Sequence, residues 1–501
     1  MTRATLKKSA SEKSALEKSA PEKSAPGSVP AGTGPSAVGF RSDRGPVLIA
    51  LMLTTSLVAL DSTIIATAVP SVVKSLGGFA QFPWLFSIYL LAQAVSVPIY
   101  AKLADMFGRK PIIMLGIALF LAGSIACGVA WSMPALIAFR AIQGLGAGAV
   151  QPMSITIVGD LYSLEERAKV QGYLASVWGA SAVIGPALGG VFSEWISWRW
   201  IFFVNIPMCF LAGSMLIRKF SEKVTRRKHR IDYLGAVLLT FGCSALILGL
   251  LEGGQSWAWM SPATVTIFVA GVLALVGFVL AERRAAEPVL PLWVFRKRVV
   301  AGGSLVSLLV GAVLFGLTSY VPTYVQTVLG AGPLIAGFAL ATLTIGWPLA
   351  ASFAGRLYLR VGFRTTALIG GAIALLGTGL TLNLGRNSSI LSVALDCFVT
   401  GVGMGLVASP TLIAAQSSVG WSERAVVTGT SLFSRSIGSA VGVALFGALA
   451  NAVLNGVDQG PGFAVAVNTA SQHVFLAVVV LSAAMVAAAA LLPGRRDQVV
   501  V

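Results

Sequence analysis

Residues 111–158 read PIIMLGIALFLAGSIACGVAWSMPALIAFRAIQGLGAGAVQPMSITIV, 48 residues in which Arg140 is the one charged side chain. The stretch divides into two apolar runs, 111–131 and 135–158, around Trp131-Ser-Met-Pro134. At ~1.5 Å per residue, each run as a helix crosses ~30 Å of hydrocarbon. A strand barrel would instead show short alternating segments, and there are none. Working outward, runs of the same kind fall at 46–70, 82–103, 168–191, 199–217, 231–251, 263–281, 299–321, 335–354, 365–384, 390–412, 425–449 and 472–492. That makes fourteen spans. The whole chain agrees: 56% of its 501 residues are hydrophobic and 11% are charged, against about 25% charged in a soluble domain. Its mean hydropathy is +0.84. A soluble enzyme and a disordered chain are both excluded. The fold class is an all-α polytopic membrane protein.

The net charge of +17 invites a nucleic-acid reading, which the placement of the charge removes. With the N-terminus cytoplasmic, 31 of the 36 Lys and Arg face the cytoplasm, and Lys74, Arg199 and Arg386 face outward. Arg140 and Arg435 lie within spans. This asymmetry is a topology signal that puts both termini in the cytoplasm of a cell-membrane protein. Trp84, Trp131, Trp195, Trp198, Trp200, Trp257 and Trp259 gather at the outer boundary as an aromatic belt. Residues 1–45 form a basic tail with Glu-Lys-Ser-Ala at 12–15, 17–20 and 22–25; its composition points to disorder. It lacks the apolar stretch of a signal peptide. Cys127, Cys209, Cys243 and Cys397 sit at unrelated spacings inside apolar runs, His229 in a basic loop and His473 near a helix end. Neither a disulfide framework nor a metal site is expected.

The chain repeats itself. Ala101-Lys-Leu-Ala-Asp105-Met-Phe-Gly108-Arg109-Lys110 returns as Gly355-Arg-Leu-Tyr-Leu-Arg-Val-Gly362-Phe-Arg364, offset by 254. Gly144-Leu-Gly146-Ala-Gly148 returns as Gly401-Val-Gly403-Met-Gly405, and Gly185 with Gly190 as Gly442 with Gly447, both offset by 257. The expected organisation is a six-helix half over 46–217, a basic loop and two inserted helices over 218–298, a second six-helix half over 299–492 and a cytoplasmic tail over 493–501. Repeated halves around a central cavity are a transporter architecture.

These motifs resemble those of the major facilitator superfamily, specifically its 14-helix branch of drug:proton antiporters. The segment 101–110 is similar to the superfamily's loop motif, with Ala101 in place of Gly and Met106 in place of Arg. Arg140-Ala-Ile-Gln-Gly144-Leu-Gly146 is similar to a fourth-helix motif associated with proton transfer. Gly179-Ala-Ser-Ala-Val-Ile-Gly185-Pro186-Ala-Leu-Gly189-Gly190 is similar to the antiporter motif of the fifth helix. Leu60-Asp61-Ser-Thr-Ile-Ile-Ala-Thr-Ala-Val-Pro70 and Trp198-Arg-Trp-Ile-Phe-Phe-Val-Asn-Ile-Pro207 complete the resemblance. It implies proton-coupled export of hydrophobic, cationic compounds. A dedicated exporter of one metabolite, lipid or siderophore stays open on the same fold.

Asp61, Arg140, Asp396 and Arg435 are the charged residues well inside spans. Each costs roughly 2.5–3.5 kcal/mol at a helix centre, so a functional role is the default. Asp61 lies ~22 Å and Arg140 ~21 Å from the inner boundary, matching depths for an ion pair across a water-accessible cavity. Cation and proton would compete for Asp61. Asp396 is a second proton site or a partner of Arg435. In the loop motif, Asp105 and Gly108 accompany Arg109, which can reach Asp160, and the resemblance implies a latch that locks the outward-facing state. The second copy has Leu359 where the acid should stand. Gly185-x-x-x-Gly189 with Pro186 suits a bent, close-packed rocking surface. Trp178, Trp347, Tyr89, Phe315, Tyr320 and Arg435 are candidate substrate contacts. No phosphate-binding loop occurs, so ATP is not the energy source. The expected protein is not an enzyme and has no cofactor beyond the proton as coupling ion. Its expected partners are small-molecule substrates and the lipid bilayer, and its expected state is a monomer.

Overall fold

The computed structural model describes residues 39–162, 164–222, 232–285, 287–420, 423–457, 460, 462–492 and 494. Most of both tails and His229 lie outside them. Two compact units divide the chain at residues 45 and 46. In the described part of the first, Ser42 Oγ donates to Gly39 O at 2.7 Å and closes a turn.

The second unit is helical throughout its spans: α1 Gly45–Leu76, α2 Phe82–Phe107, α3 Arg109–Gly128, α4 Met133–Leu161, α5 Leu164–Val191, α6 in two pieces (Trp200–Phe203 and Asn205–Lys219), α7 Tyr233–Glu252, α8 Pro262–Glu282, α9 Arg298–Thr327, α10 Pro333–Val361, α11 Phe363–Leu380, α12 Ile390–Ser417, α13 Arg424–Leu454 and α14 Phe463–Ala489. Among the described residues, fourteen helices are long and apolar enough to cross a membrane. Polar caps start several of them. Ser132, Asp232, Ser261 and Ser389 accept from the backbone N–H groups of Ala135, Gly235, Thr264 and Ser392, donors that have no partner inside the helix.

The spans appear where hydropathy places them, but their ends differ. α1 runs through Pro70 to Leu76 and α9 runs through Pro322 to Thr327. Leaving the hydrocarbon does not end a helix whose own hydrogen bonds can continue. α14 starts at Phe463, nine residues before the expected 472. His473, expected near a helix end, lies inside the helix, next to Gln472, whose Nε2 finds Leu384 O.

The internal repeat is visible in how helices cross. α4 packs on α2 and α3, and α12 packs on α10 and α11. α3 meets α4 where Gly116 faces Gly146 and Gly123 faces Gln143; α11 meets α12 where Gly370 faces Gly403 and Gly377 faces Thr400. Gly144 rests on Tyr89 of α2 as Gly401 rests on Leu343 of α10. The turns that start α3 and α11 match as well. Gly108 has φ +97° and Gly362 φ +90°, a backbone region essentially closed to residues with a Cβ.

α1–α6 meet α9–α14 through α2 against α13 and α5 against α10. The hydrogen bonds joining them lie toward the tryptophan-rich end. Ser87 Oγ donates to Ala440 O at 3.0 Å, Asn451 Nδ2 to Ala80 O at 2.9 Å and Gln326 Nε2 to Thr67 O at 3.0 Å. α7 and α8 pair with each other, and α7 lies against both α2 and α13. At its end Trp84 Nε1 donates to Glu252 Oε1 at 2.9 Å, Gln255 Nε2 to Asn451 O at 3.1 Å and Asn455 Nδ2 to Gly254 O at 3.0 Å.

Candidate functional site

Glycine at 144, 146 and 148 and at 116 and 123 lets α2, α3 and α4 approach to backbone contact, since a Cβ at any of these would overlap a neighbouring helix. That closeness draws a group of polar side chains into one sealed space. Arg140 Nη1 donates to Asp61 Oδ2 at 2.6 Å, and both side chains are 1% exposed. Arg140 Nη1 also donates to Gln143 Oε1 at 2.7 Å, and its Nε donates to Leu85 O at 3.1 Å. Gln143 Nε2 donates to Asp61 Oδ1 at 2.7 Å and to Ser124 Oγ at 2.8 Å. Asn205 Nδ2 lies 3.5 Å from Asp61 Oδ1 and 3.3 Å from Ser124 Oγ. The Tyr89 ring stacks under the guanidinium, with Cζ 4.1 Å from its centroid. Helices α1, α2, α3, α4 and α6 all contribute.

The pair therefore does not line a cavity in this conformation. Matching depth brought Asp61 and Arg140 together, but tight packing closed the space around them inside one bundle. Gln143, Ser124 and Asn205 escaped the sequence reading because neutral polar residues in Gly-rich helices barely change hydropathy. Two signals were present: Gln143 is one helical turn after Arg140, and Asn205 lies within the quoted stretch from Trp198 to Pro207. Two of the candidate substrate aromatics serve elsewhere. Tyr89 is enclosed beside Arg140, and Tyr320 is 2% exposed with its ring 5.3 Å from that of Phe82.

The repeat frame shows what the other half lacks. At the crossing where α4 carries Gln143, α12 carries Thr400, and an offset of 257 puts Cys397 where Arg140 stands. Asp396 is one residue away on a different helix face. It is 7% exposed, and among the described residues no ion pair joins it to Arg435. Arg435 is half-buried on α13, its carbonyl against Gly311 of α9. Trp178 on α5 and Trp347 on α10 are half-buried.

The second cluster lies at the basic end. Arg109 Nε is 3.0 Å from Asp160 Oδ2, joining the α2–α3 turn to the end of α4. α3 has no acid in its first turn. Glu222, beyond α6, supplies one, accepting from Arg109 N at 2.8 Å and Lys110 N at 3.1 Å, where negative charge is favoured. Lys110 Nζ answers by donating to Ile217 O at 2.9 Å and Phe220 O at 2.5 Å, near the end of α6. The side chain of Asp105 lies outside the described residues.

The glycines of α5 form a slot between two neighbours. Side chains at Gly185 and Gly189 would collide with Thr63, Ile64 and Thr67 of α1, while one at Gly190 would collide with Leu334 of α10. Thr67 Oγ1 donates to Pro186 O at 3.2 Å, an acceptor that Gly337 of α10 also approaches. Gly179 is different: the nearest atom to a Cβ there would be Pro348 Cγ at 3.9 Å. Asp61 thus sits on the helix that packs α5, and α5 in turn packs α10.

Comparison with known proteins agrees with this architecture. Multidrug resistance protein 3 of Bacillus subtilis (strain 168) is 34% identical over 401 residues, covering 80% of this chain and 78% of the relative. Multidrug transporter protein MdtP of the same organism is 32% identical over 417 residues, covering 83% and 77%. An Acurin A biosynthesis cluster MFS-type transporter of Aspergillus aculeatus is 33% identical over 420 residues, covering 82% and 75%. Among solved structures, a peptide transporter POT in complex with sulfate has a TM-score of 0.65 at 18% identity, covering 89% of this chain and 96% of its own. A bacterial homolog to the human lysosomal transporter Spinster, inward-facing and unoccupied, has a TM-score of 0.61 at 19% identity, covering 90% and 97%. The family model of the Major Facilitator Superfamily matches residues 51–443. With that match, the crossings shared by α2–α4 and α10–α12, and relatives that are themselves multidrug transporters, this chain belongs to the Major Facilitator Superfamily.

Proposed function

We propose that this protein exports hydrophobic, cationic drugs from the cell in exchange for protons, by alternating access across the plasma or inner membrane. The observation that carries the proton part is the sealed cluster of Asp61, Arg140, Gln143, Ser124 and Asn205. A buried acid and its arginine are no more stabilising than a well-packed apolar pair, so their presence at mid-membrane calls for a role in the cycle. The multidrug relatives support the choice of cargo. The basic end faces the cytoplasm by the positive-inside rule. With the joining hydrogen bonds at the tryptophan end, the conformation is closed outward.

Asp61 offers no surface to a cation in this state, so competition at one carboxylate is indirect. Protonation would loosen α1 from Arg140, and α1 would act on α5 and through it on α10. Arg109 and Asp160 are joined in this outward-closed conformation, so they are not a latch reserved for the outward-facing state; with Glu222 they would instead hold the cytoplasmic ends of α3, α4 and α6 as one body while this happens. Substrate would pass between the halves, near Trp178 and Trp347. The biosynthesis-cluster relative favours a second reading, dedicated export of one metabolite by the same machinery.

Inside-out vesicles with an acid interior test the proposal. Adding ethidium should release protons from wild-type vesicles, read with a dye sensitive to the pH difference, and Asp61→Asn should abolish the release. Release that persists undiminished in Asp61→Asn would remove Asp61 from the coupling. No release with any of a panel of cations would remove drug:proton exchange and leave the metabolite reading.

A further inference from the structure

Besides the Tyr89 hydroxyl, the hydrogen bonds around Asp61 leave two groups unmatched. Asn205 Oδ1 is buried and has no partner. Ser124 Oγ accepts from Gln143 Nε2 and Asn205 Nδ2, and its own hydroxyl hydrogen meets no acceptor among the described residues. Unmatched buried polar atoms are costly, and each one in a native structure asks for an explanation. Here both lie within one side chain of the ionisable group.

The present arrangement suits ionised Asp61. Its oxygens accept from Arg140 Nη1, Gln143 Nε2 and the more distant Asn205 Nδ2. A protonated carboxyl turns from pure acceptor to donor and needs an acceptor of its own. Gln143 Oε1 already accepts from Arg140 Nη1. A half-turn of the Asn205 amide would bring Oδ1 to where Nδ2 now stands, beside both Asp61 Oδ1 and Ser124 Oγ. In that pose it accepts from Asp61 and from Ser124 together, and the unmatched position passes to the amide nitrogen.

We propose that Asn205 is a positioning residue that reads the protonation of Asp61, its amide presenting Nδ2 to the ionised carboxylate and Oδ1 to the protonated acid. The only bond formed in the step is O–H on Asp61, with the proton drawn from water; the amide rotates without exchanging atoms. Arg140 from α4, Tyr89 from α2, Cys127 from α3 and Cys209 from α6 are the titratable groups that face Asp61. α5 meets α1 away from the carboxylate, through Ser181 beside Ser56 and Thr63 and through Gly185 and Gly189 against Thr63, Ile64 and Thr67. Because Asn205 begins the longer piece of α6, immediately after the break at Val204, the rotation gives α6 a different hold on α1 in the two protonation states. The inference rests on the proposal that Asp61 is the coupling carboxylate.

The test compares wild type, Asn205→Leu, Asn205→Ser and Asp61→Asn in proteoliposomes, measuring ethidium transport against pH. Leu removes the acceptor for the protonated acid, whereas the ionised form keeps Arg140 and Gln143. The pH midpoint should therefore move acidic by about one unit or more in Asn205→Leu. Ser, with a hydroxyl that accepts and donates, should fall between. A uniform loss of rate with an unmoved midpoint would overturn the proposal and reduce Asn205 to packing. Infrared difference spectra across a pH step provide a readout independent of transport. The carbonyl band of protonated Asp61, identified by its absence in Asp61→Asn, should shift to higher frequency in Asn205→Leu, and an unshifted band would also overturn the proposal. Failure of the underlying reading looks different: Asp61→Asn would then transport with the wild-type pH profile.

Discussion

At the scale of single residues, Arg140 and Asp61 differ in what they leave behind. Arg140→Leu strands an ionised carboxylate in a sealed space and should cost about 3–5 kcal/mol, seen as a lowered unfolding temperature in detergent. Asp61→Asn keeps an oxygen for Arg140 and should lower that temperature less. The reverse order would mean that the cluster is not held by this pair. Gly108 presents a separate case. An alanine there must adopt φ near +97°, at a cost of about 1–3 kcal/mol, and Gly362→Ala should cost a similar amount because its turn is the same. The sequence made Asp61 and Arg140 legible as charges where charges are expensive. It did not make Gln143, Ser124 or Asn205 legible, since only the glycine-tight crossing of α3 and α4, with α6 packed on α3, brings these neutral side chains to the acid. Glu222 escaped as one acid in a basic loop; what singles it out is the uncapped start of α3, which appears only once α6 is placed beside it.

At the scale of helices, α5 separates two meanings of one motif. Gly185 and Gly189 have no room for a side chain, whereas Gly179 does. Gly189→Leu should wedge α1 from α5 and abolish transport, measured as ethidium accumulation in cells with the protein level checked. Gly179→Ala should change stability by no more than about 0.5 kcal/mol, read as an unfolding temperature close to that of wild type. Equal tolerance at both positions would show that the α1–α5 contact is dispensable. Helix existence was legible throughout, because fourteen apolar runs leave little alternative. Helix ends were not: Pro70 and Pro322 sit inside helices that run on past them, as membrane spans tolerate, and α14 begins well before Gln472, whose amide donates to a carbonyl far away in sequence.

At the scale of the whole molecule, the tryptophan end is tied by Asn451 to Ala80, by Trp84 to Glu252 and by Gln255 to Asn451. Cysteines at 80 and 451, joined by a short bifunctional reagent cleavable by reductant, should stop transport, and reductant should restore it. Transport that continues while cross-linked would show that this end does not part during the cycle. The native cysteines at 127, 209, 243 and 397 are all buried and leave the experiment clean. The halves share a frame but not its chemistry, since Thr400 and Cys397 occupy the places of Gln143 and Arg140. On the proposed mechanism, a cluster with a single carboxylate would handle a single proton. On the proposed exchange, a monovalent cation leaving as one proton enters moves no net charge, so membrane voltage gains no hold on the cycle and the pH difference drives it alone. A neutral compound carried by the same route would bring net charge inward, and each 100 mV would then add about 2.3 kcal/mol to its expulsion.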